Sequence, residues 1–304
     1  MTALVISGGG AKGAFAGGVA EYLIKDKQKD YDIYVGTSAG SLLLPLLALG
    51  DVDRIKAAFT KVTQKDIFSN CPFIIKKKGN IYTSKINHFN SIKMFLQKQK
   101  TFGNSGALRK LISRIFLKSD YDRLIASKKE VMVTVCNFTN RKTEYKSIRD
   151  NSYEDFCDWM WISANFVPFM SIVIKNGHEY ADGGFGDYLP IHPALDMGAK
   201  HVDAIFLRPE KISTVSLRTS DPFDVLMRAF EFMLDKIGKD DILLGKFESL
   251  REKATIDYYF APYVLVENAF IFDPPLMAKL WADGLNYARS KKPEQMRTES
   301  DIDF

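Results

Sequence analysis

The 304-residue chain predicts an α/β fold: a three-layer sandwich with a mainly parallel central sheet. Three observations carry this. Thr2–Ile6 (TALVI) is a short apolar, β-rich run that ends in Ser7-Gly8-Gly9-Gly10. Ala14–Lys27 follows with Phe15, Val19, Tyr22 and Leu23 spaced for one face of a helix. Tyr31–Val35 is a second strand-like run that breaks at Gly36-Thr37-Ser38-Ala39-Gly40 into another apolar helix. Strand, Gly-rich loop, helix, strand, sharp bend, helix is the order that builds a parallel sheet with helices on its faces.

Bulk properties narrow the class. The chain is long enough to bury a core, and 46% hydrophobic with 26% charged residues is ordinary for a globular protein. Its longest strongly apolar run, Leu42–Leu49, is far short of the ~20 residues that cross a bilayer. Strand-like residues begin at Ala3, which leaves no room for a cleaved leader. Three widely spaced cysteines (Cys71, Cys136, Cys157) fit reduced thiols rather than a disulfide framework or a metal site. A cytoplasmic location, with peripheral membrane contact, is therefore expected.

Charge is unevenly placed. Residues 67–119 hold eleven Lys and Arg and no Asp or Glu, so the net +5 of the whole chain leaves −6 for the remainder. Such asymmetry points to a surface for an anionic partner.

Taken in order, Asp51–Lys61 reads as a helix with Asp51 as its cap. Ile74-Ile75-Lys76-Lys77-Lys78-Gly79 suits a hairpin-like projection or a plain basic turn. Ser105–Lys118 has apolar Leu108, Leu111, Ile112, Ile115 and Phe116 flanked by Arg109, Lys110, Arg114 and Lys118. That pattern suits a membrane surface, or an inward-packed stripe with its basic residues in water. For this helix alone the inward placement is preferred; for the whole basic region the lack of acids favours a membrane- or substrate-facing role.

Glu130–Phe138 and Thr143–Ile148 read as strands joined by Asn140-Arg141-Lys142. Asn151 or Ser152 caps a helix through Ile162, whose aromatics (Tyr153, Phe156, Trp159, Trp161) suit a core. Val167-Pro168-Phe169 breaks that helix. Ser171–Lys175 and His178–Ala181 flank Asn176-Gly177, a strong hairpin signal, and the hairpin ends in Asp182-Gly183-Gly184. A short helix from about Leu189 ends at Gly198, and Val202–Leu207 is a buried strand. Ser220–Leu250 is helical, capped by Ser220 or Asp221 and broken at Gly238. Tyr258–Val266 is β-like, and Asp273-Pro274-Pro275 opens a last helix to about Ala288. Residues 1–289 are thus expected to form one domain with a basic inserted region at about 67–119, followed by a polar, mobile tail at 290–304.

Chemistry concentrates in three places. At G-x-S-x-G, two glycines allow a sharp strand-to-helix turn that exposes Ser38 at a helix N-terminus, where negative charge is favoured. Gly8, Gly10 and Gly13 satisfy the spacing of a dinucleotide fingerprint, but the acidic residue wanted at the end of the second strand is missing there. A phosphate loop fails as well, because Ala14 stands where Lys is needed. An anion cradle of consecutive glycine amides is the preferred reading, and a structural tight turn remains open. Lys12 either adds positive potential to that cradle or is a solvated first-turn lysine. A serine needs a base. A triad of Ser38, Asp182 and His192 or His201 is arithmetically open, but the Gly-Gly after Asp182 favours direct contact between Asp182 and Ser38. The plain alternative is a turn aspartate bonded to its own backbone.

Ser7–Gly13 (SGGGAKG), Gly36–Gly40 (GTSAG) and Asp182–Gly184 (DGG) together resemble the three motifs of the patatin-like phospholipase family. Pro190, Ala194 and Gly198-Ala199 are similar to the residues that come after the family's DGG, and the resemblance spans roughly residues 2 to 207. It implies a patatin-like fold in which Ser38 is the nucleophile, Asp182 its partner in a dyad, and the amides around Gly8, Gly9 and Gly10 an oxyanion hole, joined by the Ala39 amide. The activity implied is cleavage of fatty acyl esters of phospholipids or acylglycerols through an acyl-serine, with no metal and no cofactor. Two departures stand out: Lys12 where many members carry Arg, which loses the fork geometry, and Tyr188 where an Asn is frequent. The partners expected are the lipid substrate and an anionic membrane met through residues 67–119, with no nucleic acid. The alternatives are a non-catalytic lipid- or partner-binding module of the same fold and, less favoured, a dinucleotide-binding oxidoreductase.

Overall fold

The computed structural model describes residues 1–79, 81–211 and 222–291. Strand β1 (Thr2–Ile6) runs through the Gly-rich turn into α1 (Gly13–Glu21), which widens into a π turn over Tyr22–Asp26; β2 (Ile33–Thr37), α2 (Ala39–Ala48), α3 (Val52–Lys61) and the single-turn α4 (Gln64–Ile67) follow. The basic region holds a separate hairpin, β3 (Phe73–Lys78) and β4 (Ile81–Ile86), then α5 (His88–Leu96) and α6 (Gly106–Ile115). Helix α7 (Lys118–Ala126) leads to β5 (Glu130–Asn137), β6 (Lys142–Ser147), α8 (Tyr153–Ser163), β7 (Val173–Lys175) and β8 (His178–Asp182). The chain continues through α9 (His192–Asp196), β9 (His201–Phe206), α10 (Pro222–Glu252), β10 (Thr255–Phe260) and α11 (Pro274–Ser290).

The main sheet runs β10–β9–β1–β2–β5 with every neighbour parallel. Strands β6 and β8 join β5 antiparallel, and β7 closes the edge beside β8. Helices cover both faces, as a parallel sheet requires. Alternate residues of β1 show the division. Leu4 and Ile6 enter a large core with α1, α2, α8 and α11, whereas Ala3 and Val5 enter a smaller one with α9 and α10. Phe156 and Trp159 of α8 are buried in the large core, with Tyr153 and Trp161 packed at its margin.

Several details depart from expectation. Gly238 does not break α10: a Cβ there would stand 2.7 Å from the Phe206 ring, so the glycine serves close packing rather than helix termination. Strand β10 ends at Phe260, and the β-like run beyond it leaves the sheet. The Asp51 side chain makes no cap hydrogen bond; it pairs with Arg54 at 3.0 Å instead. In α6, Leu108 and Ile112 are buried and Arg109 is tied to Asp158 at 2.6 Å, so its apolar stripe faces inward. The caps expected at Ser220 and Asp221, and residues 292–304 of the polar tail, lie outside the described residues. Among the described residues no helix is long and apolar enough to cross a membrane.

Candidate active site

Strand β5 brings the two distant motifs together. Its one edge is occupied by β6 from Met132 to Asn137. The opposite edge is shared: β2 pairs with Glu130 to Thr134, and β8 pairs with Val135 to Asn137. The two run in opposite directions and meet head to head, Thr37 opposite Thr134 and Asp182 opposite Val135. The residue after Thr37 is Ser38. Its hydroxyl donates to Asp182 Oδ2 at 2.7 Å across a sequence separation of 144 residues.

The bend at Ser38 is strained and tightly packed. Ser38 has φ 55° and ψ −122°, a backbone conformation that costs an ordinary residue energy and is characteristic of a strand-to-helix elbow. A Cβ on Gly36 would lie 2.8 Å from the Gly40 carbonyl carbon, and one on Gly40 would lie 2.3 Å from the Ile6 carbonyl oxygen. Neither position tolerates a side chain without backbone movement. The Ser38 amide donates to Ser163 Oγ at 3.0 Å, and Ser41 Oγ donates to the Ser38 carbonyl at 2.6 Å. These bonds fix the elbow from both sides.

Asp182 is buried and receives few hydrogen bonds. Oδ1 accepts from the Gly184 amide at 2.8 Å and Oδ2 from Ser38. Its own amide donates to the Asn165 carbonyl at 3.0 Å. A Cβ on Gly183 would meet the Thr134 carbonyl oxygen at 2.3 Å, so the first glycine of the motif lets the turn lie against β5. Burial raises the Asp182 carboxyl from 3.8 to about 7, opposed by the Gly184 amide and the Ser38 hydroxyl. A carboxyl of that kind can release and take up a proton near neutral pH.

The Gly-rich turn lies beside this pair. Gly8 does not offer a free donor as expected: its amide donates to the Tyr188 carbonyl at 3.0 Å. It provides space instead, since a Cβ there would stand 3.0 Å from the Tyr188 ring and 3.4 Å from Ser38 Cβ. The Gly9 and Gly10 amides have no acceptor among the described residues. Gly10 has φ +56°, and a Cβ on it would fall 2.4 Å from the Ala269 carbonyl oxygen. The Ala39 amide opens α2, where helix amides lack an internal partner.

Lys12 is not a solvated lysine. It is 6% exposed, and its ammonium lies 4.0 Å from Glu231 of α10. Arg208 reaches the same carboxylate at 2.8 Å and lies over the Tyr188 ring, 5.2 Å from its centroid. Burial lowers the Lys12 pKa, with Glu231 opposing and Arg208 adding to the fall. Tyr188 stands out in the sequence only as a departure from the family pattern, and Arg208 and Glu231 carry no sequence signal, because nothing local links a loop, a strand end and a helix far downstream.

Ser38, Asp182, Gly8, Gly9, Gly10, Lys12 and Ala39 all open on one cavity, with an empty volume of about 1290 Å³ that includes its mouth. Away from these groups and from Tyr188, Arg208 and Glu231, which also line it, the walls are apolar. Leu42 and Leu46 come from α2, Ile55 and Phe59 from α3, and Leu111 and Ile115 from α6. Phe166, Phe230 and Phe270 close another side, with the Phe166 and Phe230 centroids 5.2 Å apart. The apolar walls suit a hydrocarbon group whose polar end lies at Ser38.

No histidine among the described residues lines the cavity. His192 is held between Glu248 at 2.7 Å and Asp196 at 3.0 Å. His201 pairs with Thr2 at the start of β1, level with Asp32, so it sits roughly 20 Å down the sheet from Ser38. A triad through either one is therefore excluded in this geometry. His201, Asp203 and Asp257 bring possible metal-ligand atoms within 4.8 Å of one another. The Lys29 ammonium already occupies Asp203, at 2.7 and 2.9 Å, and the group does not adjoin the cavity.

The family profile agrees with the motif pattern. The sequence profile of the family described as patatin-like phospholipase matches residues 4–195. An uncharacterised protein of Escherichia coli K12, YjjU, is 25% identical over 213 residues, covering 69% of this chain and 53% of that protein. The chain thus spans about half the length of that curated relative. Among solved structures, the crystal structure of VipD from Legionella pneumophila matches with a TM-score of 0.45 and 16% identity, over 95% of this chain and 66% of that one.

Proposed function

The chain belongs to the patatin-like phospholipase family, and from that premise we propose that it is a serine lipid acyl hydrolase acting on fatty acyl esters of phospholipids or acylglycerols. The observation that carries the reading is the 2.7 Å contact between Ser38 Oγ and Asp182 Oδ2 at the polar end of an apolar cavity.

Ser38 Oγ attacks the ester carbonyl carbon while Asp182 takes the hydroxyl proton. The carbonyl oxygen becomes an oxyanion, received by the Gly9 and Gly10 amides of the Gly-rich turn and the Ala39 amide at the start of α2. Lys12, buried beside the Gly-rich turn, adds positive potential there. When the tetrahedral centre collapses, the carbon–oxygen bond to the alcohol breaks. Protonated Asp182 returns its proton to the leaving alcohol, and an acyl-Ser38 remains. Water, deprotonated by Asp182, attacks that ester; the second collapse releases the fatty acid and restores the Ser38 hydroxyl. Hydrocarbon walls from α2, α3 and α6 hold the acyl chain and keep stray water from the ester. The pKa of Asp182 supports the role of base, because a carboxyl titrating near neutrality gives up and accepts the same proton at low cost.

Product analysis after incubation with a mixed lipid extract tests this reading. Free fatty acid and the matching lysolipid or partial acylglycerol are expected with the parent chain and absent with Ser38→Ala. Equal release by a folded Ser38→Ala protein would remove the reading. Lack of any ester cleavage by the parent would favour a binding module of the same fold.

A further inference from the structure

Helix α5 turns its apolar face the wrong way for a core. Phe89, Ile92, Phe95 and Leu96 follow one another at helical spacing, and all four are exposed, Phe89 at 78% and Phe95 at 80%. Met94 on the opposite side is buried. The helix is nonetheless anchored. The Asn87 side chain accepts from the Asn90 amide at 3.1 Å, the Asn87 amide donates to the Pro72 carbonyl at 2.7 Å, and Asn90 Nδ2 donates to the Cys71 carbonyl at 2.9 Å. That anchor lies next to Phe73, whose ring stacks on Phe270 at 5.1 Å. Phe270 lines the cavity that holds Ser38. The base of α5 is thus linked, through Phe73 and Phe270, to the wall of that cavity.

Its surroundings are cationic. The hairpin that precedes α5 carries Lys76, Lys78 and Lys85, α5 itself carries Lys93 and the turn after it Lys98; none of them has a carboxylate within ion-pair distance among the described residues. Lys77, held by Asp273 at 3.0 Å, is the contrast. An exposed row of two phenylalanines, an isoleucine and a leucine, in a stretch of chain whose lysines lack carboxylate partners among the described residues, matches the inside-out chemistry of a lipid interface: acyl tails for the rings, anionic head groups for the ammonium groups.

We propose that α5, with the β3–β4 hairpin, is the surface by which this chain docks on an anionic lipid bilayer, bringing the cavity to its substrate. This narrows the membrane contact expected of the whole 67–119 region and removes α6 from it, since the apolar stripe of α6 is a cavity wall. The proposal rests on the lipid-hydrolase reading for its purpose but not for its test.

The test measures binding without turnover. Full-length Ser38→Ala protein is mixed with vesicles of phosphatidylcholine alone or of phosphatidylcholine with phosphatidylglycerol, and the bound fraction is measured by co-sedimentation. Binding to the mixed vesicles is expected. The double change Phe89→Ser and Phe95→Ser should weaken it roughly tenfold or more, with unchanged thermal melting because both side chains are exposed. The triple change Lys76→Gln, Lys78→Gln and Lys93→Gln should abolish the preference for phosphatidylglycerol. Ile174→Ser, another solvent-facing apolar site, on β7, should bind like the parent. Three results would overturn the proposal: full binding by the double phenylalanine variant; loss of binding through Phe232→Ser on α10 while that double variant still binds; or a stable dimer in light scattering that the double variant dissociates. Vesicle binding by a parent chain that cleaves no ester would leave the docking surface standing and remove only the hydrolase reading.

Discussion

Ser38 and Asp182 come within 2.7 Å because β2 and β8 end facing each other on the same edge of β5. The contact is thus a property of strand register. A slip of β8 by one residue would turn Asp182 to the other face of the sheet and leave Ser38 without an acceptor.

Removal of either partner should abolish turnover with the fold retained. Ser38→Ala and Asp182→Asn are each expected to lower kcat/KM for a fatty acyl ester by roughly a thousandfold or more, and the double variant by little beyond the worse single one. Steady-state kinetics on an ester, with circular dichroism as the fold control, checks this. Additive losses would argue that the two residues do not act as a unit.

The pH profile should report Asp182. Its carboxyl is raised to about 7 by burial, and only the ionised form takes the Ser38 proton. The expected kcat/KM climbs about tenfold per pH unit below 7 and levels above it. Stability should run the opposite way. A raised carboxyl favours the folded chain while both states hold the proton, below about 3.8, and that contribution is lost as pH rises through about 7. Asp182→Asn, which cannot titrate, should lose less stability than the parent between those limits in urea melts.

Gly40 should resist even a methyl group. A methyl at that position would stand 2.3 Å from the Ile6 carbonyl oxygen, so Gly40→Ala must push α2 away from β1. A loss of roughly 3 kcal/mol is expected in denaturant titration, together with loss of esterase activity, because the elbow carries Ser38. Parent-like stability would show that α2 can draw back from β1 at little cost.

Chain-length preference should depend on α6. Leu111 lines the apolar part of the cavity, and Leu111→Trp fills space there. Relative kcat/KM for long over short acyl esters should fall roughly tenfold. An unchanged ratio would place the acyl chain elsewhere.

Much of this was legible in the sequence, for identifiable reasons. The strands β1, β2, β5 and β9 are buried on both faces and read as apolar runs. The glycines of the three motifs mark places where backbones touch, and the hairpin at Asn176-Gly177 follows from turn chemistry. What stayed hidden depends on distant packing. Gly238 looked like a helix stop because a lone glycine does not reveal the Phe206 ring against it. The burial of Lys12 depends on Glu231, and the fate of the Gly8 amide on Tyr188, both far away in the chain. The acid-free stretch announced a basic surface, and the inward placement preferred for α6 is the one observed; the outward stripe of α5 drew no reading, since helical periodicity alone does not say which way a stripe faces.

The most direct measurement is labelling of the intact protein with a fluorophosphonate ester, followed by mass spectrometry of its peptides. A single adduct on Ser38 is expected, absent in Ser38→Ala and formed far more slowly in Asp182→Asn. An unlabelled parent chain, or an adduct carried by another serine at the same rate in all three proteins, would contradict the account.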